Sequence, residues 1–525
     1  MSDLTAATPT DPGSNNPLPS RSRAAAATFG ANAVNALIVG IQAIVLVPLY
    51  LHATGPRLYG AWLASGEVLV WMQAMDLGIP NLMIQRIASA YGRNERSRAA
   101  DWSATGIFVV AIISVLIGGA GVLIALALPG LVDAAPADRA LLSGSFAVGT
   151  LATCGTLLAN GIVGMARAIQ DTYFLSAALV VSALAGLITS LVLILNGWGL
   201  WAIPLGLVAR AAVGLGAALI FAVYVWRVHF AVPFRIVPGI LKELLTTSPV
   251  TALGGISYTV MSQSEIVLVA TLVGPELAVV YALTRRAADL GRSFVDMIGF
   301  ATYGGVAHLM SSADAETVRR IYGRILALHL ACAFAVGAAF LAVDRSLLNV
   351  WVGPSFAGSL GLIFLMAIQS IVLGHSYLLN LQYRAVGRVV EGSLALVIEA
   401  LVRVPLLATM LLLVGLPGLP IASTATAFAS AVIVRRRTVR QLGGQPITAR
   451  APAVWTVRAL ISGVAATLAV AVLMPRWSYV LITGTVIFAG GCLALIWVDP
   501  RLRPILGSTA RQLLPRAAVP RLWGP

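Results

Sequence analysis

The sequence predicts an all-α integral membrane protein with about fourteen transmembrane helices, and three observations carry the prediction. First, 59% of the 525 residues are hydrophobic and only 10% are charged, whereas about a quarter of a soluble domain is charged. A soluble chain of this length could not cover so much apolar surface, and a bilayer removes the need to. Second, the apolar residues come in runs long enough to cross a hydrocarbon core, which takes about 20 residues per helix. Third, the arginines alternate between loops. Counting loops from the N-terminus, one alternate set holds 26 of the 35 basic residues. The other holds only Arg57, Arg139, Arg345 and Arg476, and the remaining five lie inside spans. By the positive-inside rule both termini and the basic loops belong in the cytoplasm.

Taken in order, residues 1–24 read as a disordered cytoplasmic tail, rich in Ser, Thr, Pro and Asn. No cleavable signal precedes the first span. Spans follow near 28–51, 59–83, 102–130, 141–165, 173–195 and 200–226, and form an N-terminal lobe over 25–230. The next six, near 249–273, 277–305, 322–343, 358–380, 392–414 and 417–434, form a C-terminal lobe over 231–440. The break between its last two rests on the turn Gly415-Leu416-Pro417-Gly418-Leu419-Pro420, which no charge marks. Two more helices, near 454–474 and 477–497, fill 450–498, and 499–525 is a basic cytoplasmic tail.

The two lobes read as a duplication. A shift of 219 residues lays Gly55-Pro56-Arg57-Leu58 on Gly274-Pro275-Glu276-Leu277. A shift of 217 lays Arg167-Ala168-Ile169 on Arg384-Ala385-Val386. The period holds an even number of helices, so the halves share one orientation. That predicts a pseudo-two-fold axis along the membrane normal, with a substrate path between the bundles.

Charge inside a span is costly and usually faces a cavity or a partner. In the eighth span Arg285, Asp289, Arg292 and Asp296 are spaced 4, 3 and 4, which places them on one stripe of a helix, with Arg286 beside it. Two readings stay open. The stripe is the wall of a hydrated cleft whose guanidinium forks hold an anion, or it is a self-neutralising Arg–Asp ladder that joins helices. Under the 219 shift Glu67 corresponds to Arg286, so these two are expected to approach each other as a gate. Glu399 and Arg403, four apart, are expected to pair structurally. Arg210 and Glu265 are single charges that line the cavity or pack elsewhere. Arg86 stands at a cytoplasmic mouth, and Asp76 and Asp296 lie toward the cytoplasmic ends. Glu67, Asp289, Asp296, Glu265 and Asp76 are the candidates for gating or ion coupling. His329 and His375 serve in packing or in a proton relay.

Several classes are excluded or disfavoured. The net charge of +15 sits in short loops, whereas a nucleic-acid surface needs a folded basic face. Cys154, Cys332 and Cys492 lie far apart in apolar stretches, so neither a disulfide framework nor a metal site is expected. No GxxxxGK[ST] loop, HExxH or GxSxG occurs, so neither an enzyme nor a cofactor is expected.

The stretch Thr54-Gly55-Pro56-Arg57-Leu58-Tyr59-Gly60-Ala61-Trp62 resembles the start of the second helix in polysaccharide-biosynthesis flippases. These belong to the multidrug/oligosaccharidyl-lipid/polysaccharide exporter superfamily. Asp76-Leu77-Gly78-Ile79 with Arg86-Ile87-Ala88, Trp351-Val352-Gly353-Pro354-Ser355-Phe356, and Tyr383-Arg384-Ala385-Val386-Gly387-Arg388 are similar to loops of the same family. The resemblance covers about 25–435. It implies a two-lobed carrier in a bacterial inner membrane. Its cargo would be an undecaprenyl-diphosphate-linked oligosaccharide, such as an O-antigen, lipopolysaccharide or exopolysaccharide unit. The cargo would move outward, and the residues read above as candidates to hold it are Arg285, Arg286, Arg292, Arg210 and Arg86, of which Arg86 also reads as a solvated loop residue that obeys the positive-inside rule. Membrane lipids, and a polysaccharide polymerase or other assembly proteins, are the partners it implies. A multidrug antiporter of the same fold is the main alternative, although residues 28–51 lack the carboxylate that such exporters often use. A membrane glycan polymerase is the lesser one, since no long loop carries catalytic acids.

Overall fold

The computed structural model describes residues 21–312 and 315–442. The expected thirteenth and fourteenth helices and both tails lie outside the described residues, apart from the stretch from Arg21 onward. Among the described residues the protein is all helix, with no strand. The α-helices are α1 (Arg21–Ala74), α2 (Ile79–Gly92), α3 (Arg96–Leu131), α4 (Arg139–Ile169), α5 (Tyr173–Leu195), α6 (Ala202–Val225), α7 (Pro238–Leu272), α8 (Pro275–Ser312), α9 (Ala315–Trp351), α10 (Leu360–Ala385), α11 (Val389–Val414) and α12 (Gly418–Gln441). Nine stretches among them are long and apolar enough to cross a membrane, the first running on through α1 and α2. The charge-rich α8 is not one of the nine.

Local chemistry sets the breaks. α1 contains both the first and the second expected spans, hinged at Gly55, whose φ of 75° and ψ of 162° suit only glycine. The second span does not run unbroken to 83. It stops at Ala74, because Leu77 and Gly78 take left-handed φ values of 54° and 68°. The Asp76 carboxylate accepts a 2.8 Å bond from the Gly78 amide and fixes this turn before α2 starts. The turn after α11 falls where Gly415 (φ 76°) allows it.

α7 begins at Pro238, well before the expected 249. Its first turns carry Lys242 and Glu243, which interrupt the apolar run that marks a span. They are held by packing instead: Leu244 is buried in a cluster with Ile79, Met83 and Phe230. The Val237 amide also donates to Thr105 Oγ1 at 3.1 Å.

The helices form two bundles with one packing plan. In the first, α1 packs on α5, α2 on α3 and α4, α3 on α4, α4 on α6, and α5 on α6. In the second, α7 packs on α11, α8 on α9 and α10, α9 on α10, α10 on α12, and α11 on α12. Each pair in one has its counterpart in the other, as a duplication requires. The outer faces are apolar, with Leu116, Leu126, Leu401 and Leu413 each about 70% exposed, as lipid-facing residues are.

The bundles meet where the duplicated corners meet. The backbone of α1 at Gly60 touches the Pro275 carbonyl at the start of α8. Leu46, Tyr50, Tyr59, Val279, Leu283 and Leu348 pack into one cluster there. The Trp351 indole donates to the Ile44 carbonyl at 2.8 Å, and Arg57 lies 3.8 Å from Glu276.

Candidate binding cavity

α7, α8, α10 and α11 line a partly open cavity whose empty space, open solvent included, is about 370 Å³. Met261, Ser262, Glu265, Arg285, Asp289, Arg292, Gln369, Ser370 and Arg403 are among its lining residues. Glu265 is its hub. Its Oε2 accepts from Tyr281 Oη at 2.5 Å and from Arg285 Nη1 at 3.1 Å. Its Oε1 accepts from Gln369 Nε2 and Ser423 Oγ, both at 2.6 Å. Four donors from α8, α10 and α12 therefore converge on one carboxylate of α7, which is 2% exposed.

Arg285 is equally committed. Besides Glu265 it donates to Asp289 Oδ2 at 2.5 Å, the Ser262 carbonyl at 3.0 Å and Gln263 Oε1 at 3.2 Å. A guanidinium has five N–H donors, and four contacts to internal acceptors leave little for a ligand. Arg292 is held more loosely, with contacts of 3.5 Å to Tyr258 Oη and to Asp289 Oδ1. Three members of the stripe, Arg285, Asp289 and Arg292, thus form a paired ladder that lines the cavity, and Asp296 stands outside it.

Arg403 closes the far side. It pairs with Glu399 and donates through Nε to Thr426 Oγ1 at 2.8 Å, with both charged side chains almost fully buried. Glu265, Asp289 and Glu399 balance Arg285, Arg292 and Arg403, which suits groups taken out of water. Removing one member leaves a buried charge. Glu399→Ala is expected to cost roughly 3–5 kcal/mol, read as a lowered thermal midpoint in detergent. The double substitution Glu399→Leu with Arg403→Met is expected to restore most of it. Equal midpoints for the single and double variants would contradict the pairing.

Arg286 differs from all of these. It is exposed, and among the described residues no hydrogen bond or ion pair within 4 Å engages it. Tyr59 and Glu67 of the first bundle lie within electrostatic range of its charge. Glu67 is half-buried and senses Arg285, Asp289, Arg286 and Glu265 across the gap without pairing to any of them. Below Arg286 the same face of α8 presents Leu290, Phe294, Met297 and Phe300, each at least 50% exposed.

The other sequence candidates lie elsewhere. Arg210 on α6 donates to Asn35 Oδ1 at 3.1 Å within the first bundle. Arg86 on α2 pairs with Glu243 on α7 and lies 5.7 Å over the Trp102 ring, tying the bundles together. Asp76 caps the turn before α2, and Asp296 stands 4.0 Å from His329. Sequence reasoning missed Tyr258, Tyr281, Gln369, Ser423 and Thr426. Gln369 carried the one usable signal, a side-chain amide in an apolar span.

The two helical bundles have an apolar exterior, and the charged cavity lies within the second of them. No protein-family model matches the sequence, and no curated protein is significantly similar to it. Solved structures are similar in fold. The lipid II flippase MurJ in an inward closed conformation aligns with a TM-score of 0.63 at 11% identity, over 92% of this chain and 100% of that one. An inward-facing multidrug resistance MATE transporter of the MOP superfamily gives 0.59 at 15% identity, over 78% and 95%. A Vibrio cholerae MATE transporter gives 0.56 at 14%, over 81% and 99%. The chain therefore has the fold of MATE transporters and of MurJ.

Proposed function

We propose that the protein is a flippase that moves a polyprenyl-diphosphate-linked oligosaccharide across a bacterial inner membrane by alternating access. The arginine-rich loop ends face the cytoplasm in this reading, and the Gly55–Pro275 corner faces outward. The observation that carries it is Arg286, a guanidinium that is exposed and unpaired among the described residues, at the head of an exposed apolar strip on α8. A cation above a greasy surface suits a ligand with an anionic head and a hydrocarbon tail. Arg292, loosely held, is the second contact for the head group, and Arg285 holds the wall in shape. Glu67 opposes Arg286 until the diphosphate takes its place, and so acts as a gate. Outward movement of two negative charges from an inside-negative cell is downhill by about 4–5 kcal/mol at 100 mV, which needs no nucleotide. Polysaccharide polymerase and other assembly proteins are the partners such a role implies.

Deletion followed by lipid analysis tests this. Accumulation of a polyprenyl-linked glycan on the inner leaflet is expected. Loss of drug resistance with surface polysaccharide intact would replace the flippase by an antiporter. Arg286→Ala is expected to slow translocation by about tenfold or more with an unchanged melting midpoint, a loss of about 1.4 kcal/mol of binding or more. Undiminished transport in that variant would remove Arg286 from the path.

A further inference from the structure

One turn beyond Arg292, α8, α9 and α10 bring three titratable side chains together that the cavity does not use. Asp296 Oδ1 lies 4.0 Å from His329 Nε2, and the His329 and His375 rings are 6.0 Å apart. His329 is 0% exposed. Asp296 Oδ1, both ring nitrogens of His329, and His375 Nδ1 are buried with no hydrogen-bond partner among the described residues. Leaving one such group unpaired costs about 1–3 kcal/mol, so four together call for an explanation.

A proton on His329 supplies it for the facing pair, Asp296 Oδ1 and His329 Nε2. On His329 it makes an imidazolium facing a carboxylate whose oxygen has no donor. A small closure of the 4.0 Å gap then gives a charge-assisted bond. Without that proton, the cation within reach of Asp296 is Arg292, four residues earlier on the same face. Gly374 marks the meeting point. A methyl group there would stand 3.3 Å from Asp296 Oδ1, 3.6 Å from Arg292 Cγ and 3.6 Å from His329 Cε1. The other titratable groups within electrostatic range of the cluster are Tyr258 on α7, Tyr377 with Arg384 on α10, and Arg435 on α12. Tyr258 already touches Arg292, so its position is part of the same competition.

We infer that Asp296, His329 and His375 form a proton-binding site that decides whether Arg292 is drawn to Asp296 or offered to an anionic ligand in the cavity. The inference rests on the reading that this cavity receives an anionic head group. With the proton bound, Asp296 is satisfied by His329 and Arg292 faces the cavity. With the proton lost, Asp296 competes for Arg292. Binding of the anion therefore takes up a proton, and affinity falls as pH rises through the titration of the site.

Two measurements on the full chain in lipid nanodiscs test this. The first uses no ligand. The protein has five histidines, and labelled imidazoles are followed by solid-state NMR from pH 5 to 8, with His329→Gln supplying the assignment. His329 is expected to titrate in that range, and Asp296→Asn to lower its midpoint by about one unit or more. A ring that stays neutral throughout, or ignores Asp296→Asn, overturns the proton site. The second is calorimetry with farnesyl diphosphate in two buffers of different ionisation heat. Binding is expected to be about tenfold weaker at pH 8 than at pH 6, as one coupled site of shifted midpoint gives, with net proton uptake. His329→Gln and Asp296→Asn should each reduce the dependence to the ligand's own ionisation. The same pH profile in wild type and in both variants overturns the coupling. Failure of farnesyl diphosphate to bind any form, while His329 still titrates and responds to Asp296→Asn, overturns the anionic-ligand reading and its link to Arg292.

Discussion

Gly60→Val is expected to abolish transport while the protein still inserts and folds. A Cβ at Gly60 would fall 1.8 Å from the Pro275 carbonyl oxygen and 2.5 Å from its carbon. These are backbone atoms, so no rotamer change relieves the clash, and α1 and α8 have to separate. The rest of the corner depends on that contact, including the Trp351 bond to Ile44 and the Arg57–Glu276 pair. Neither bundle loses internal packing, because Gly60 lies on the face between them. The cost therefore falls on the closed arrangement of this end alone. About 3 kcal/mol against it reduces its population roughly a hundredfold, and a carrier that cannot close one end cannot alternate. Spin labels at the exposed positions 57 and 276 should report a longer distance in the variant, with little change in melting midpoint. Wild-type transport by Gly60→Val would show that this corner does not need to close. Gly60→Ala is expected to be milder but clearly impaired, since even one methyl group meets the carbonyl.

The two turns of this corner are legible in the sequence, because Gly55-Pro56 and Gly274-Pro275 repeat at one offset and turn chemistry is local, whereas their contact through Gly60 is not. The uncharged turn at Gly415–Pro420 was read on the same ground. Two boundaries were not legible. The break at Asp76–Gly78 depends on left-handed backbone at Leu77, a residue type that rarely adopts it, and a hydropathy run passes straight through. The early start of α7 depends on burial of Leu244 against the first bundle, a tertiary contact that no run of apolar residues signals.

The site divides the same way. Spacing alone placed Arg285, Asp289, Arg292 and Asp296 on one stripe, and four-residue spacing paired Glu399 with Arg403. What each arginine is free to do was hidden, because the deciding partners are far away in sequence. Arg285 is consumed by Ser262, Gln263 and Glu265, 20 to 23 residues earlier. Arg210 is held by Asn35, 175 residues earlier. Periodicity tells which groups share a face of one helix. It does not tell what the next helix offers them, and in a bilayer that offer decides whether a charge is structure or ligand site.

Glu265→Ala should therefore have the largest effect on stability of any single change in the second bundle. The carboxylate is the one acceptor shared by Tyr281, Arg285, Gln369 and Ser423. Its removal leaves three buried neutral donors unpaired and takes away one of the two anions beside Arg285. Breaking a buried ion pair from one side costs roughly 3–5 kcal/mol, and the orphaned donors add to it. Water cannot enter to replace the carboxylate without opening the contacts among α7, α8, α10 and α12. The expected outcome is a sharp loss of folded yield and a melting midpoint lowered by many degrees with no ligand present. Glu265→Gln keeps one acceptor oxygen but turns an amide NH2 toward other donors, so it should fall between the two. Arg286→Ala is the contrast that makes the result informative, since that side chain has no partner to lose among the described residues. If Glu265→Ala instead melts like wild type and loses only transport, then Glu265 belongs to the ligand and the division between a committed wall and a free Arg286 is wrong.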